Sequence, residues 1–115
     1  MSKPDAVRLR HMLDAARKAV QFAKGRTRAD LEKDEMFMFA LVRLLEVLGE
    51  AAKSVSEDVR QRAPKIAWQQ VTGTRDRLVH AYFDVDLDIV WEIVTKDLPP
   101  LITALEQLVS TFDDG

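Results

Sequence analysis

The sequence predicts an all-α protein, an up-and-down bundle of four to five helices. Only four glycines and four prolines interrupt its 115 residues, and residues that favour helix, above all Ala, Leu, Glu, Lys and Arg, dominate the chain. Apolar residues recur at helical spacing, and no stretch alternates convincingly as a strand does. A chain of this length suits one core, so we expect a single domain over residues 1–115 with short links between antiparallel helices.

Two long helices are predicted in the first half of the chain. The first runs from about Pro4 to Lys24, with Gly25 at its exit. The second runs from about Ala29 to Val55 and is apolar nearly all round its middle. Such a helix must bury more than one face, so we expect a second copy of the chain to cover the extra face in a two-fold dimer. A monomer whose methionines fill its own core is the alternative.

Shorter elements are predicted next. Ser56 either ends the second helix or caps a short one, and Pro64 then breaks the helical pattern. A short apolar anchor is expected to close over the bundle. It consists of Ile66, Trp68 and Val71.

Three cap or breaker signals divide the remainder of the chain. Thr74 is placed to cap a helix that holds residues 75–82, and Asp86 is placed to cap the following one. Pro99 and Pro100 restart or kink that last helix, whose apolar stripe continues at helical spacing.

Composition excludes several classes of site. Because the chain has no cysteine, it has no disulfide, no thiolate-bound zinc and no cysteine nucleophile, which fits a reducing cytoplasm. The N-terminus lacks the apolar core of a signal peptide, and no uncharged apolar run approaches the roughly 18 residues of a membrane span. We therefore expect a cytoplasmic protein without a membrane partner.

The net charge of −2 conceals a gradient along the chain. Residues 1–33 carry nine Lys or Arg against four Asp or Glu, whereas residues 84–115 carry one Lys against eight Asp or Glu. A basic end attracts nucleic acid and an acidic end attracts a basic partner. Two solvated helix faces explain the same pattern, so charge alone leaves both interpretations open.

Residues 75–82 read Arg-Asp-Arg-Leu-Val-His-Ala-Tyr and concentrate the reactive side chains of the protein. If the segment is helical, Asp76 and His80 lie at i and i+4, where a carboxylate can orient an imidazole. Arg75 and His80 then differ by about 140° around the helix, so one helix does not aim both at a single atom. In a two-fold dimer, the motifs of both chains can face each other across one cleft, which is a better way to bring these groups together. The motif also contains Tyr82, the only tyrosine of the chain. Accidental register of surface and core residues is the alternative.

The other titratable residues give little indication of a metal site. His11 is interpreted as a surface or partly buried residue of the first helix. Glu46 and Glu50 form an i, i+4 carboxylate pair of a kind that can bind metal, yet Gly49 beside them marks a close approach of two helices, where Glu50 can brace the motif segment instead. No histidine has the helical spacing of a zinc ligand pair, and we expect neither a metal nor a cofactor.

A set of ordered sequence motifs makes the chain resemble the HepT-like branch of the HEPN superfamily. The resemblance covers roughly residues 5–110. These sequence motifs are residues 44–52, 64–68 and 75–83, and the pairs Val90-Trp91 and Leu98-Pro99.

The resemblance implies a dimeric, HEPN-like helical bundle in which the motif helices of both subunits line one cleft, and a metal-independent endoribonuclease. It also implies a toxin of a bacterial toxin–antitoxin pair. The antitoxin would be a minimal, MntA-like nucleotidyltransferase that forms a hetero-oligomer with the toxin and silences it by AMP transfer. Carried over to this chain, Arg75 and His80 are the catalytic pair and Tyr82 is the modified residue. Asp76 stands where the family often has Asn, and adds negative charge near a phosphate.

A different class of function fits the same residues. In this alternative the chain is a non-catalytic helical subunit of a nucleotidyltransferase complex, and Arg75 and His80 bind a nucleotide or the phosphates of a partner. A dimeric bundle whose site has lost its activity is a third interpretation.

Overall fold

A computed structural model of the chain describes residues 3–81 and 84–113, the side chains of residues 80, 81 and 113 excepted. Helices account for most of these residues, which confirms the all-α bundle. The α-helices are α1 (Lys3–Ala23), α2 (Asp30–Lys33), α3 (Glu35–Lys53), α4 (Glu57–Arg62), α5 (Trp68–Thr72), α6 (Thr74–Leu78), α7 (Leu87–Glu92) and α8 (Leu98–Asp113). A π-helical segment, Ile93–Asp97, joins α7 to α8, and two short strands, β1 (Val79–Ala81) and β2 (Asp84–Val85), follow α6.

The helices α1 and α3 pack antiparallel along most of their length. At one end, the buried carboxylate of Asp5 accepts hydrogen bonds from the backbone N–H of Ser56 (2.9 Å) and from its hydroxyl (2.8 Å). At the other end, Arg26 Nη2 lies 3.0 Å from Asp34 Oδ2. The helix α8 packs on α1 as well, and the core lies between these three helices. Its fully buried side chains include Leu9, Met12, Leu41, Leu45, Leu48 and Leu105.

The second predicted helix is interrupted at Asp34, so the prediction of one continuous helix was wrong there. Asp34 takes an extended conformation (φ −123°, ψ 96°), ends α2 and begins α3, where its side chain accepts a hydrogen bond from the N–H of Phe37 at 3.1 Å. Aspartate in this conformation satisfies a backbone donor that would otherwise lack a partner. Arg26 braces the break, since its guanidinium bonds to Asp30 and lies 4.0 Å from the centre of the Phe37 ring.

This arrangement makes two carboxylates stronger acids than usual. The hydrogen bond from the Phe37 N–H, and after it the Arg26 guanidinium, lower the pKa of Asp34. The hydrogen bond from the Thr27 N–H, with Arg26 again in support, lowers the pKa of Asp30. A carboxylate whose pKa is lowered by folding stabilises the protein above its unfolded pKa of about 3.9, and this stabilisation is lost as the pH falls through the folded value.

We therefore expect the free energy of unfolding to fall as the pH drops below about 4, and Asp34→Asn to flatten that dependence. The asparagine keeps an oxygen for the helix cap but cannot titrate. Urea denaturation at a series of pH values measures the slope. Asp14→Asn, which removes an exposed carboxylate of α1 outside the cluster, is the matched control, and a change in slope as large as that of Asp34→Asn would contradict the assignment.

The short helix and apolar anchor predicted after α3 are present. Ser56 caps α4, with its Oγ accepting from the Val59 N–H at 3.4 Å. Ile66 and Trp68 are buried, and Trp68 Nε1 donates to the carbonyl oxygen of Ala63 at 3.0 Å. Val71, the last residue of the predicted anchor, is half-buried against the same core.

The last part of the chain is one helical run with a π-helical insertion. Asp86 caps α7 as predicted, since its Oδ1 accepts from the Ile89 N–H at 3.1 Å. The N–H of Leu98 bonds to the carbonyl of Ile93, five residues back, as in a π-helix. Pro99 and Pro100 then lie in the first turn of α8, where a missing N–H is tolerated. The helix α8 thus begins beside the prolines that were predicted to restart or kink the helix, directly after the π-helical segment. None of the described helices is long and apolar enough to cross a membrane.

Candidate active site

The helix α6 carries the first half of the motif and is fixed against α3. Thr74 and Leu78, one turn apart on α6, are both buried. Opposite them, a Cβ at Gly49 would lie 3.4 Å from the carbonyl oxygen of Val71 and 3.5 Å from Thr74 Cβ. The close approach of two helices predicted at Gly49 is therefore present, and α6 packs on α3 at this point. Glu50 is exposed and pairs with Lys53 Nζ at 3.7 Å within α3, so it does not brace the motif.

The prediction that Thr74 caps α6 was wrong. The Thr74 hydroxyl donates to the carbonyl oxygen of Val71 at 2.6 Å, and no side chain caps α6. Thr74 is itself the first residue of the helix and is buried, so its hydroxyl satisfies the end of α5 instead of the start of α6.

The helix predicted over residues 75–82 ends at Leu78. Val79 is extended (φ −123°, ψ 116°) and opens β1, which pairs antiparallel with β2. The N–H of Asp86 donates to the carbonyl of Leu78 at 2.7 Å and closes the hairpin. The prediction of no strands was therefore wrong at this point. A β-branched Val79 facing Val85 favours the extended state, and the hairpin brings the chain directly to the cap of α7.

This ending changes the geometry of the motif. Because His80 lies in β1, Asp76 and His80 are not neighbours on a helix face. The separation of about 140° between Arg75 and His80, which was calculated for one continuous helix, does not describe this motif. The register of the hairpin shifts between Val79 and Ala81, which is at His80.

The structure describes the predicted site residues to different extents. Arg75 and Asp76 are exposed on α6. Among the side chains that the structure describes, none forms a hydrogen bond or ion pair with either of them. The backbone of His80 is described but its side chain is not, and Tyr82 lies outside the described residues. The catalytic pairing of Arg75 with His80, and the role of Tyr82, stay predictions.

Arg77 was not predicted to have a role. Its side chain is only 28% exposed, and its Nη2 lies 3.5 Å from Asp97 Oδ2 in the π-helical segment. Beside this pair is a pocket of about 240 Å³ that Lys65 and Lys96 also line. Lys65, Arg77 and Lys96 have no regular spacing in the sequence, so the pocket can be recognised only in the folded chain.

The other candidates from the sequence lie apart from the motif. His11 is exposed in a shallow groove between α1 and α8, with Arg10 and Ser110 among its neighbours. Glu46 is half-buried on α3. Over the described ranges, no group of three or more His, Cys, Asp or Glu residues is placed to hold a metal ion.

Comparison with known proteins identifies relatives of the chain. A family model described as "Ribonuclease HepT-like" matches residues 12–108. The chain is 34% identical over 101 residues to "Putative RNase TTE0752" of Caldanaerobacter subterraneus subsp. tengcongensis, an alignment that covers 88% of this chain and 90% of the relative. It is 32% identical over 107 residues to "Putative RNase MJ1380" of Methanocaldococcus jannaschii, with 92% and 98% covered. It is 40% identical over 75 residues to "Probable ribonuclease HepT" of Thermococcus cleftensis, with 65% and 68% covered. No solved structure gave a significant match.

Proposed function

The chain belongs to the HepT-like ribonuclease family, and on that premise we propose that it is a metal-independent endoribonuclease, the toxin of a cytoplasmic toxin–antitoxin pair. One observation carries the proposal: the matched region contains the Arg-x4-His-x-Tyr element at residues 75–82, and α6 presents Arg75 to solvent. An exposed guanidinium in a motif that also contains a histidine suits a phosphodiester. Single-stranded or loop RNA is the proposed substrate.

In the proposed reaction, Arg75 binds the scissile phosphate and stabilises the negative charge that develops on its oxygens. The 2′-oxygen of the ribose attacks phosphorus and the bond from phosphorus to the 5′-oxygen breaks. His80 accepts the 2′-hydroxyl proton or protonates the leaving 5′-oxygen. An imidazole suits both tasks because it can accept or donate a proton near neutral pH. The products are a 2′,3′-cyclic phosphate and a 5′-hydroxyl end.

Cleavage of RNA by purified protein in the presence of EDTA tests this function. The expected fragments carry 2′,3′-cyclic phosphate and 5′-hydroxyl ends, identified by mass spectrometry. Fragments with 3′-hydroxyl ends, or cleavage that requires Mg²⁺, would contradict the mechanism. Protein that binds nucleotides but never cleaves RNA would support the non-catalytic subunit.

A two-fold dimer completes this mechanism, because one motif histidine per chain becomes two in a shared cleft, one as acid and one as base. The described surface of α3 supports a dimer. Of the four apolar residues that widen the apolar surface of this helix, Met36 is 83% exposed and Phe39 is 60% exposed, one turn apart on α3. The other two, Met38 and Val42, pack against the core of the monomer. Large exposed apolar side chains grouped in this way are typical of an interface.

We expect the wild-type protein to be a dimer and the double variant Met36→Glu/Phe39→Glu to be a monomer that does not cleave RNA. Like charges facing each other across a two-fold axis repel, and burying them without partners is costly. Light scattering coupled to size exclusion measures the mass. Val7→Glu, at an exposed apolar site near the opposite end of the α1–α3 pair, is the control and leaves the dimer intact. A monomeric wild type would refute the composite cleft.

Asp76 adjoins Arg75 on α6 and is exposed beside it. If Arg75 binds a phosphate, the Asp76 carboxylate opposes that binding. Asp76→Asn is therefore expected to raise kcat/KM for RNA cleavage roughly fivefold, since one unit charge at about 4 Å in water contributes about 1 kcal/mol. Asp58→Asn on the exposed face of α4 is the charge-matched control. A marked loss of activity in Asp76→Asn would show instead that the carboxylate is required.

The proposed antitoxin is a minimal, MntA-like nucleotidyltransferase that forms a hetero-oligomer with this protein and transfers AMP to Tyr82. The phenolic oxygen attacks the α-phosphate of ATP, pyrophosphate leaves and the phenolic proton is released. The adduct adds bulk and negative charge two residues from His80, and this repels RNA. Mass spectrometry after co-expression with a nucleotidyltransferase encoded beside this chain should find the adduct on the peptide with Tyr82 and none in Tyr82→Phe. An unmodified wild-type peptide would refute this regulation.

A further inference from the structure

The residues Arg75 and Arg77 lie on opposite flanks of α6. Thr74 and Leu78 form the buried stripe of this helix. At 100° per residue, Arg75 and Arg77 fall about 80° to either side of that stripe. A phosphate that binds at Arg75 therefore lies on the flank of α6 opposite to Arg77.

Arg77 pairs with Asp97, which follows it by 20 residues in the chain. Arg77 Nη2 lies 3.5 Å from Asp97 Oδ2, and the two side chains are 28% and 37% exposed. A single, partly exposed contact of this length adds little to the stability of a protein. The pair does, however, close a segment of the chain that contains the hairpin of β1 and β2 and the helix α7.

The π-helical segment brings Asp97 to Arg77. Val90 and Val94 form the buried face of this helical run. In a regular α-helix, Asp97 would follow Val90 by seven residues and lie within about 20° of it, in the middle of the buried face. The wider π-turn gives that core position to the buried Leu98 and leaves Asp97 at the edge of the core, against Arg77. The helix is therefore irregular where it carries the partner of Arg77, and π-turns are frequent at functional sites.

The hairpin that carries His80 is too small to be rigid by itself. β1 has three residues and β2 has two, and an isolated hairpin of two strands is marginally stable. Its base is closed by the hydrogen bond of 2.7 Å from the Asp86 N–H to the Leu78 carbonyl oxygen. Arg77 directly precedes Leu78, so the contact with Asp97 lies at this base as well. A group that transfers a proton must be held to within about 0.5 Å of its productive position.

We propose that Arg77 is a positioning residue of the ribonuclease: with Asp97, it holds the hairpin, and with it His80, in a fixed position relative to Arg75. This proposal rests on the proposed catalytic roles of Arg75 and His80. Arg77 acts through the base of the hairpin and not through contact with RNA. Without the pair the chain still folds, because the buried faces of α6 and α7 remain, but the hairpin moves relative to α6.

Single-turnover cleavage of RNA by Arg77→Met, Asp97→Ala and the double variant tests the effect on catalysis. We expect each single variant to lower the maximal rate by about tenfold to 100-fold, since a displacement of about 1 Å is enough for such a loss. The double variant should be no slower than the slower single variant, because both changes break one contact. The RNA concentration that gives half the maximal rate should change by less than about twofold. Arg77→Lys should recover most of the activity, because the contact with Asp97 uses a single N–H group.

The matched control is another ion pair between distant segments, Arg17 of α1 with Glu106 of α8. Arg17→Met/Glu106→Ala removes one positive and one negative charge, as Arg77→Met/Asp97→Ala does, and should cleave RNA like the wild type. Both double variants should melt within about 4 °C of the wild type. The proposal is overturned by equal losses of activity in the two double variants, by additive losses at Arg77 and Asp97, or by a loss that appears only as weaker binding of RNA.

Hydrogen exchange at the Asp86 amide, measured by NMR, tests the tether without RNA. This N–H closes the hairpin on Leu78, and it should exchange at least about tenfold faster in Arg77→Met/Asp97→Ala and within about twofold of the wild type in Arg17→Met/Glu106→Ala. Unchanged exchange at Asp86 would overturn the proposal whatever the activity. A wild type that does not cleave RNA would refute the proposed function, whereas faster exchange at Asp86 would still support the tether.

Discussion

RNA cleavage is expected to fall by about 10²–10⁴-fold in His80→Ala and by about 10²–10³-fold in Arg75→Ala. In the proposed mechanism, the first variant removes the group that transfers the proton, and the second removes the positive charge that stabilises the phosphate oxygens. Both effects should appear in kcat, since both interactions strengthen as the reaction proceeds. Single-turnover cleavage of a fluorescent RNA measures them.

The chain offers a matched control for each variant. His11→Ala removes the only other histidine, exposed on α1, and should cleave RNA like the wild type. Arg75→Lys keeps the charge but loses the planar fork, so its activity should lie between those of the wild type and Arg75→Ala. Cleavage by His80→Ala at the wild-type rate would refute the catalytic assignment.

Folding is separated from catalysis by measuring stability on the same samples. Arg75 is exposed on α6, and its replacement should change the free energy of unfolding by no more than about 0.5 kcal/mol. If Arg75→Ala is inactive but as stable as the wild type, the lost activity reflects a contribution of the Arg75 side chain to RNA cleavage and not to folding. If its stability collapses together with its activity, Arg75 has a structural role.

Asp5→Ala is expected to destabilise the protein by about 2–4 kcal/mol, the largest effect on folding expected from a single polar residue here. Asp5 is 5% exposed and accepts two hydrogen bonds from Ser56, one from the backbone and one from the hydroxyl. Its removal leaves a partly buried N–H without its acceptor and detaches the start of α1 from the cap of α4. The charge is also favourable at the N-terminus of α1.

Urea denaturation at neutral pH measures this effect. Asp5→Asn keeps one acceptor oxygen but loses the charge, so its cost should be smaller than that of Asp5→Ala. A double-mutant cycle with Ser56→Ala isolates the coupling between the two side chains, expected at about 1–3 kcal/mol. A change below about 0.5 kcal/mol in Asp5→Ala would contradict the importance of this tether.

Local signals predicted much of the fold. Helices α1 and α3, the cap at Asp86 and the restart at Pro99 follow from apolar spacing, cap chemistry and missing N–H groups, all of which act within one or two turns. The break at Asp34 was missed. From the sequence, an aspartate in a helical pattern is interpreted as a solvated residue of one helix. Its contact with Arg26, which supports the break, appears only in the structure.

The candidate site was predictable only in its residue types. The sequence identified Arg75, Asp76, His80 and Tyr82 as a group, but helical periodicity predicted the wrong backbone after Leu78. A β-branched Val79 is a weak signal, and it becomes decisive only when Val85 pairs with it. The sequence showed no reason to single out Arg77.

By itself, the sequence determined the helical class, most of the two long helices and the membership of the HepT-like family, because helical periodicity and the order of the motifs can both be read along the chain. The tertiary structure alone decided where the motif helix ends, that Asp5 holds Ser56 across 51 residues of chain, and that Lys65, Arg77 and Lys96 share one pocket. These contacts join groups that are distant along the chain. The pocket residues come from the segment between α4 and α5, from α6 and from the π-helical segment before α8, which meet only in the folded chain.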